Sequence, residues 1–225
     1  MSGSSDTTPN ATMTSIHELT KTYRYFVFDL DDTLILERTY LFSAYRRIAE
    51  ASKAPPALVS DMYAFLAGGF DRGARHGLFD EFLRAYPMTG LNIKEMLSML
   101  RTVNVDGGLD LTPDARQILE ILQKQQLSYS IITNGNPDQQ RNKTDQIKWM
   151  DLHRPEMIIY AAEHGSKPSP DAFFKLRSSI SRDPMIYIGD SEVDEQFARN
   201  AGVDFLNIRR IRSTEGDASR TDRAD

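Results

Sequence analysis

Ten residues frame this chain: Tyr25-Phe26-Val27-Phe28-Asp29-Leu30-Asp31-Asp32-Thr33-Leu34, an apolar run that stops in three aspartates and a threonine. Tyr, Phe and Val in unbroken succession suit a strand covered on both faces, as in a parallel sheet. Open α/β sheets place their ligand crevices beyond the carboxyl ends of the strands, which is where these aspartates fall. Carboxylates this close repel one another unless a cation is near, so the stretch asks for a metal ion. Taken alone it is equally a strand followed by an acidic turn, because Asp is common in turns. The rest of the chain decides between the two.

Downstream of the aspartates the pattern turns helical. Residues 38–52 carry Tyr40, Leu41, Ala44, Tyr45, Ile48 and Ala49 at helical spacing. After Pro55-Pro56 the pattern resumes over 57–66, and Gly68-Gly69 is expected to end it. Helices over 77–86 and 93–103 complete a block with no strand character.

Past Asp106-Gly107-Gly108 the chain alternates. A helix opened by Thr112-Pro113 runs to about residue 126, and a strand covers Ser128–Thr133. A polar helix over 137–150 precedes a strand at Met157–Tyr160, and Ser169-Pro170-Asp171 opens the next helix. A strand at Met185–Ile188, a helix over 193–201 and a strand over 204–208 finish the pattern. Such alternation predicts an α/β fold with a doubly wound, mainly parallel, Rossmann-like sheet and an inserted all-helical cap domain. The expected core covers residues 21–37 and 107–212 and the cap 38–106, with a disordered tail over 1–20 and a polar tail over 213–225. Hinges are expected near Leu36–Arg38 and Asp106–Gly108.

The absence of cysteine removes disulfides, zinc–thiolate sites, iron–sulfur clusters and thiol nucleophiles together, and leans the expected location to the cytoplasm. His17, His76, His153 and His164 follow no ligand spacing, so an oxygen-ligated ion such as magnesium fits better than zinc. A net charge of −5 argues against a nucleic-acid polymer or an anionic membrane surface as partner. No apolar stretch has the length to span a bilayer. A small anionic substrate remains compatible, because a bound cation reverses the local field.

Four polar features fall at, or just after, the carboxyl ends of expected strands: Asp29 with Asp31, Thr133-Asn134-Gly135, Lys167, and Asp190 with Asp194. In a parallel sheet those ends share one edge, so residues distant in sequence converge. The segments read Asp29-Leu30-Asp31-Asp32-Thr33, Ile131-Ile132-Thr133-Asn134-Gly135, Gly165-Ser166-Lys167-Pro168-Ser169-Pro170-Asp171 and Ile188-Gly189-Asp190-Ser191, with Asp194 beyond. In this order they resemble the four motifs of the haloacid dehalogenase-like superfamily of phosphohydrolases. The resemblance covers residues 25–208, and the helical block resembles that family's helical cap of the first type. It implies a magnesium-dependent phosphatase that hydrolyses a small phosphorylated metabolite through an aspartyl-phosphate.

The chemistry of each residue suits that role. Asp29 is the candidate nucleophile, since a carboxylate attacking phosphorus splits one hard step into two easier ones. Asp31 is the candidate general acid and base. Thr133 and Asn134 can hold phosphoryl oxygens, and Lys167 adds a fixed positive charge beside them. Asp29 and Asp190 are the candidate carboxylate ligands of the metal, and the resemblance adds the backbone carbonyl of Asp31. Asp194, one helical turn past Asp190, could reach the ion directly, act through water or pair with Lys167. Asp32 suits a structural role in the turn.

Specificity is expected to fall to the cap, with Arg38, Tyr45, Arg72 and Arg75 as candidate contacts. The arginines of Gly68–Arg75 could hold a second anionic group, or that stretch is a solvated interhelical loop. A nucleoside 5′-monophosphate leads as substrate, with a sugar phosphate or phosphoglycolate as alternatives. A haloacid dehalogenase is disfavoured by Asp31, because a departing halide needs no proton whereas an alkoxide does. A phosphomutase, or a catalytically silent binding or regulatory protein on the same fold, are the other readings.

Overall fold

The computed structural model describes residues 14–74, 76–180 and 183–212. The described chain opens with a two-residue strand, β1 (Thr14–Ser15), and a short helix, α1 (Ile16–Thr22). The sequence predicts a disordered tail to residue 20; the structure corrects that over Thr14–Thr20. The Ser15 hydroxyl caps α1 by accepting from the His17 N–H. Ile16 and Leu19 are buried in the core, an anchor that the polar composition around them hides. Residues 1–13 and 213–225 lie outside the described residues.

Strand β2 (Tyr25–Phe28) is buried along its whole length. Four cap helices come next: α2 (Glu37–Ala51), α3 (Pro56–Asp71), α4 (Leu78–Ala85) and α5 (Ile93–Thr102). The alternating half then runs α6 (Pro113–Lys124), β3 (Ser128–Thr133), α7 (Pro137–Asp145), β4 (Met157–Tyr160) and α8 (Asp171–Ser179). It ends with β5 (Met185–Gly189), α9 (Glu192–Ala201), β6 (Asp204–Asn207) and β7 (Ile211–Arg212), the last pairing with β1.

The five-stranded sheet has the order β4-β3-β2-β5-β6, and every neighbouring pair is parallel. The chain builds outward from β2 through β3 to β4, then crosses back to β5 and β6. The direction of winding therefore reverses at β2, and a crevice opens at its carboxyl end. Phe28 lies opposite both Ile131 and Ile188, so Asp29, Thr133 and Asp190 leave the sheet at nearly one level. Side-chain alternation gives the sheet two apolar faces. Phe26, Phe28, Ile131 and Ile188 join the core shared with α1, α6 and the cap, whereas Val27, Ile132 and Tyr187 join the core under α8 and α9.

Two helix ends differ markedly from the sequence prediction. Helix α3 runs through Gly68-Gly69 to Asp71. A Cβ on Gly69 would lie 2.2 Å from Leu78 Cδ1, so this glycine serves close packing of α3 against α4 and does not break the helix. Helix α7 stops at Asp145, five residues early. Beyond it Ile147 bridges Leu109, and Ile147 and Trp149 turn into the core, a tertiary pull that a polar helical pattern cannot reveal.

The cap is fastened to α7, which also holds the segment after α5 at Val103 and Val105. The Tyr40 hydroxyl donates to the Leu100 carbonyl, and Asn142 Nδ2 donates to both Tyr40 Oη and the Val103 carbonyl. Gln146 accepts from the Val105 N–H and donates to the Val103 carbonyl. Gly108, at φ +76°, lies where a Cβ would stand 2.9 Å from the Gln146 carbonyl oxygen; a side chain there meets backbone.

Candidate active site

Asp29 comes directly after β2, and its N–H donates to the Ile188 carbonyl at 2.9 Å. The carboxylate is almost fully buried, with Lys167 Nζ donating to Oδ1 at 2.5 Å. The same ammonium donates to Asp194 Oδ1 at 2.6 Å and to the Tyr187 hydroxyl at 3.0 Å. A buried ammonium is costly unless charges and hydrogen bonds surround it, and Lys167 has three partners. Burial opposes its charge, yet Asp29, Tyr187 and Asp194 hold the ammonium well above its ordinary range.

Burial pushes the Asp29 carboxyl up to about 7, with Lys167 pulling the other way and Asp194 adding to the rise. Asp194 goes the opposite way: burial works against its charge, but Lys167 and Ser191 hold its carboxyl below the usual range. Asp190 is raised by burial and by the charges of Asp194 and Asp32. Asp29, Asp190 and Asp194 each offer an oxygen within 4.8 Å of one another. A second positive charge would ionise Asp29 and quiet the repulsion among the three. An all-oxygen donor set suits a hard divalent ion such as magnesium.

Of the options open for Asp194, the structure shows the pairing with Lys167. Its other oxygen accepts from the Ser191 N–H and hydroxyl at 3.2 and 2.6 Å, so both oxygens are engaged in orienting the Lys167 ammonium and the start of α9. Gly189 makes room for this: a Cβ there would stand 2.6 Å from Asp194 Cβ and Cγ.

Thr133 closes β3, and its buried hydroxyl accepts from Gln140 Nε2 at 2.8 Å. Asn134 has a structural role besides the expected one. Its side chain clamps the Lys167 backbone, accepting from the N–H at 2.8 Å and donating to the carbonyl at 3.1 Å. The amide thus gives its oxygen and one N–H to fixing the loop that carries Lys167, which leaves its second N–H for the expected role. Asp32, at φ +54°, accepts from the Glu37 N–H at the start of α2, the structural role expected of it.

Asp31 bridges toward α7. Lys143 Nζ donates to both of its carboxylate oxygens at 2.8 and 2.7 Å, and Gln140 Nε2 donates to Oδ2 at 2.8 Å. Gln140, Lys143 and Tyr187 are the site residues that sequence reasoning missed. A buried-strand tyrosine among aliphatic residues was one available signal. Gln140 and Lys143 at i and i+3 on the helix after Thr133 was another.

Among the cap candidates, Tyr45 lines a cavity of about 340 Å³ together with Glu37, His76, Asp80 and Gln139. Apolar side chains of α2, α4 and α5 complete its wall. Arg38 does not line it; it pairs with Asp71 at 3.8 Å and lies over the Phe42 ring. Arg72 is exposed at the end of α3, also away from the lining. Arg75 lies outside the described residues.

Residues 26–208 match the model of one protein family, described as haloacid dehalogenase-like hydrolase. A search of the curated proteins returns no match. Among solved structures, the chain is similar to a candidate HAD-hydrolase, YfnB, from Bacillus subtilis bound to magnesium, with 21% identity over 82% of this chain and 86% of that one and a TM-score of 0.54. It is similar to a candidate phosphoglycolate phosphatase from Lactobacillus delbrueckii subsp. bulgaricus, with 17% identity over 83% and 86% of the two chains and a TM-score of 0.52. It also resembles the L-2-haloacid dehalogenase from Xanthobacter autotrophicus, with 18% identity over 82% and 76% and a TM-score of 0.50. At these identities the likeness is one of fold. No helix among the described residues is long and apolar enough to cross a membrane.

Proposed function

The chain belongs to the haloacid dehalogenase-like hydrolase family, and on that premise we propose that it is a magnesium-dependent phosphatase acting on a small phosphomonoester. The observation that carries the proposal is the Lys167–Asp29 contact at 2.5 Å, at the switch point of the sheet and two residues before Asp31.

Asp29 attacks phosphorus and forms an aspartyl-phosphate, and Asp31 passes a proton to the departing alkoxide. Asp31 then takes a proton from the water that hydrolyses the intermediate, which frees Asp29 and phosphate. Lys167 and the Thr133 hydroxyl steady the phosphoryl oxygens as charge redistributes. A magnesium ion held by Asp29, Asp190 and the Asp31 backbone carbonyl would supply further positive charge at the phosphoryl group. Tyr187, Asp194 and Asn134 keep the Lys167 ammonium aimed at Asp29. The dehalogenase alternative gives no task to Asp31, which three hydrogen bonds hold in place.

The cap cavity supports a neutral or cationic leaving group. Its lining mixes apolar side chains with Glu37, Tyr45, His76, Asp80 and Gln139, and among the described residues, which leave out Arg75, no arginine or lysine lines it. Those carboxylates would repel the carboxyl of phosphoglycolate or a second phosphate, whereas they can accept from the amino and N–H groups of a nucleobase. A volume of about 340 Å³ lies at the small end of the range for ligand pockets. A nucleoside 5′-monophosphate is therefore the proposed substrate class. A phosphate-release screen over nucleotides, sugar phosphates and phosphoglycolate, with and without magnesium, tests it. The expected result is magnesium-dependent release, fastest with a nucleoside monophosphate and abolished by Asp29→Asn. Release from none of these esters would overturn the phosphatase proposal, and preference for phosphoglycolate would overturn the substrate class.

A further inference from the structure

Helix α7 buries a lysine. Lys143 is 1% exposed, yet it lies on the most polar helix of the chain and belongs to none of the recurring motifs. An ammonium in such a place is costly unless it is paired. Its close partner is Asp31, both of whose oxygens lie within 2.8 Å of Nζ. Glu37 stands farther off at 4.0 Å, and the Tyr40 ring centroid at 5.3 Å. The partner that justifies burying Lys143 is thus a carboxylate of the catalytic loop.

Gln140 lies one turn earlier on the same face. Its Nε2 donates at once toward Asp31 Oδ2 and Thr133 Oγ1, each at 2.8 Å. Its Oε1 is buried without a hydrogen-bond partner among the described residues. Nε2 also lies 2.5 Å from the Asn134 carbonyl oxygen, and turning the amide over would set Oε1 against both that carbonyl and the Asp31 carboxylate, so the two acceptors fix its orientation at the expense of an unsatisfied Oε1. One amide therefore ties the proposed acid–base group to the proposed phosphate-binding hydroxyl.

We infer that Lys143 and Gln140 are positioning residues for Asp31, holding its carboxylate where it meets the leaving-group oxygen, an inference that rests on the phosphatase function proposed above. Without them the Asp31 carboxylate loses the hydrogen bonds that fix its oxygens. Proton transfer needs hydrogen-bond reach to the leaving oxygen, so a displaced carboxylate costs most where the leaving group most needs its proton.

The test compares an alkyl phosphate with 2,4-dinitrophenyl phosphate, whose leaving group departs without a proton, in the full chain with magnesium. Asp31→Asn sets the reference pattern of kcat across the two esters. Lys143→Met is expected to reproduce that pattern, losing at least about tenfold more kcat on the alkyl ester than on the aryl ester, with little change in KM. Lys143→Arg keeps a charged donor and restores part of the loss. In the Asp31→Asn background, Lys143→Met adds less than about a further twofold, because both act through one carboxylate. Equal losses on both esters, or a full additional factor in the double variant, would overturn the inference. Should Lys143→Met fail to fold by circular dichroism, Gln140→Met gives the same comparison. A wild-type chain that hydrolyses neither ester speaks against the phosphatase proposal itself, whereas an active wild type with an unselective Lys143→Met sinks only the positioning role.

Discussion

Replacing Lys167 by Met removes one positive charge from between two carboxylates that have almost no access to water. The side chains of Lys167, Asp29 and Asp194 are 3%, 9% and 2% exposed. Removing one partner of a buried ion pair costs about 3–5 kcal/mol, because the other partner is left charged and unpaired. For a domain of this size each kcal/mol shifts Tm by about 2–4 °C, so the drop should be roughly 6–20 °C. Its pH dependence has a definite sign. Asp29 already sits at about 7 with Lys167 present and rises further without it. A carboxyl raised above its unfolded value, about 3.9, stabilises the fold fully below that value and loses the contribution as pH climbs through the folded pKa. Asp194, held low by Lys167, contributes stability above its unfolded value, and the variant forfeits it. Both effects make the gap between wild type and Lys167→Met small near pH 4 and large above pH 7. Thermal unfolding followed by circular dichroism from pH 4 to 9, in EDTA, measures it. A gap below about 1 kcal/mol at pH 8, or one independent of pH, would refute the reasoning.

Gly189→Ala should keep the fold at a cost of about 1–3 kcal/mol but lower kcat by about 100-fold, since its Cβ displaces Asp194 and with it Lys167; unfolding curves and turnover separate the two effects. Tyr187→Phe removes a hydroxyl that accepts from Lys167 and donates to the Ile132 carbonyl, and urea unfolding should show a loss of about 1–3 kcal/mol. Asn142→Ala cuts two hydrogen bonds between α7 and the cap side; about 1–2 kcal/mol of stability should go, with faster hydrogen exchange around Leu100–Val103.

The sheet was legible because β2 and β5 are apolar runs and β3 is a strand-prone Ser-Tyr-Ser-Ile-Ile-Thr run, each ending in punctuation, and because parallel topology gathers their ends at one edge. Those ends set Asp29, Thr133, Lys167 and Asp190 in one neighbourhood. Second partners were not legible, since hydrogen bonds between side chains depend on distances that no local pattern encodes. Asn134 clamps Lys167 across 33 positions, and Lys143 reaches Asp31 across 112. Gly69 misled for a related reason: glycine serves both breaks and close packing, and only the position of Leu78 tells them apart. The anchoring of Ile16 and Leu19 was hidden by polar neighbours, and the early end of α7 by the distant contact of Ile147 with Leu109.

The most direct test is to catch the phosphorylated enzyme. Mixing the magnesium-loaded chain with substrate, quenching in acid within one turnover and mapping peptides by mass should find one phosphoryl group on Asp29, absent in Asp29→Asn. Phosphate released at full rate with no adduct on Asp29, or an Asp29→Asn variant that still turns over, would contradict a covalent role for this carboxylate.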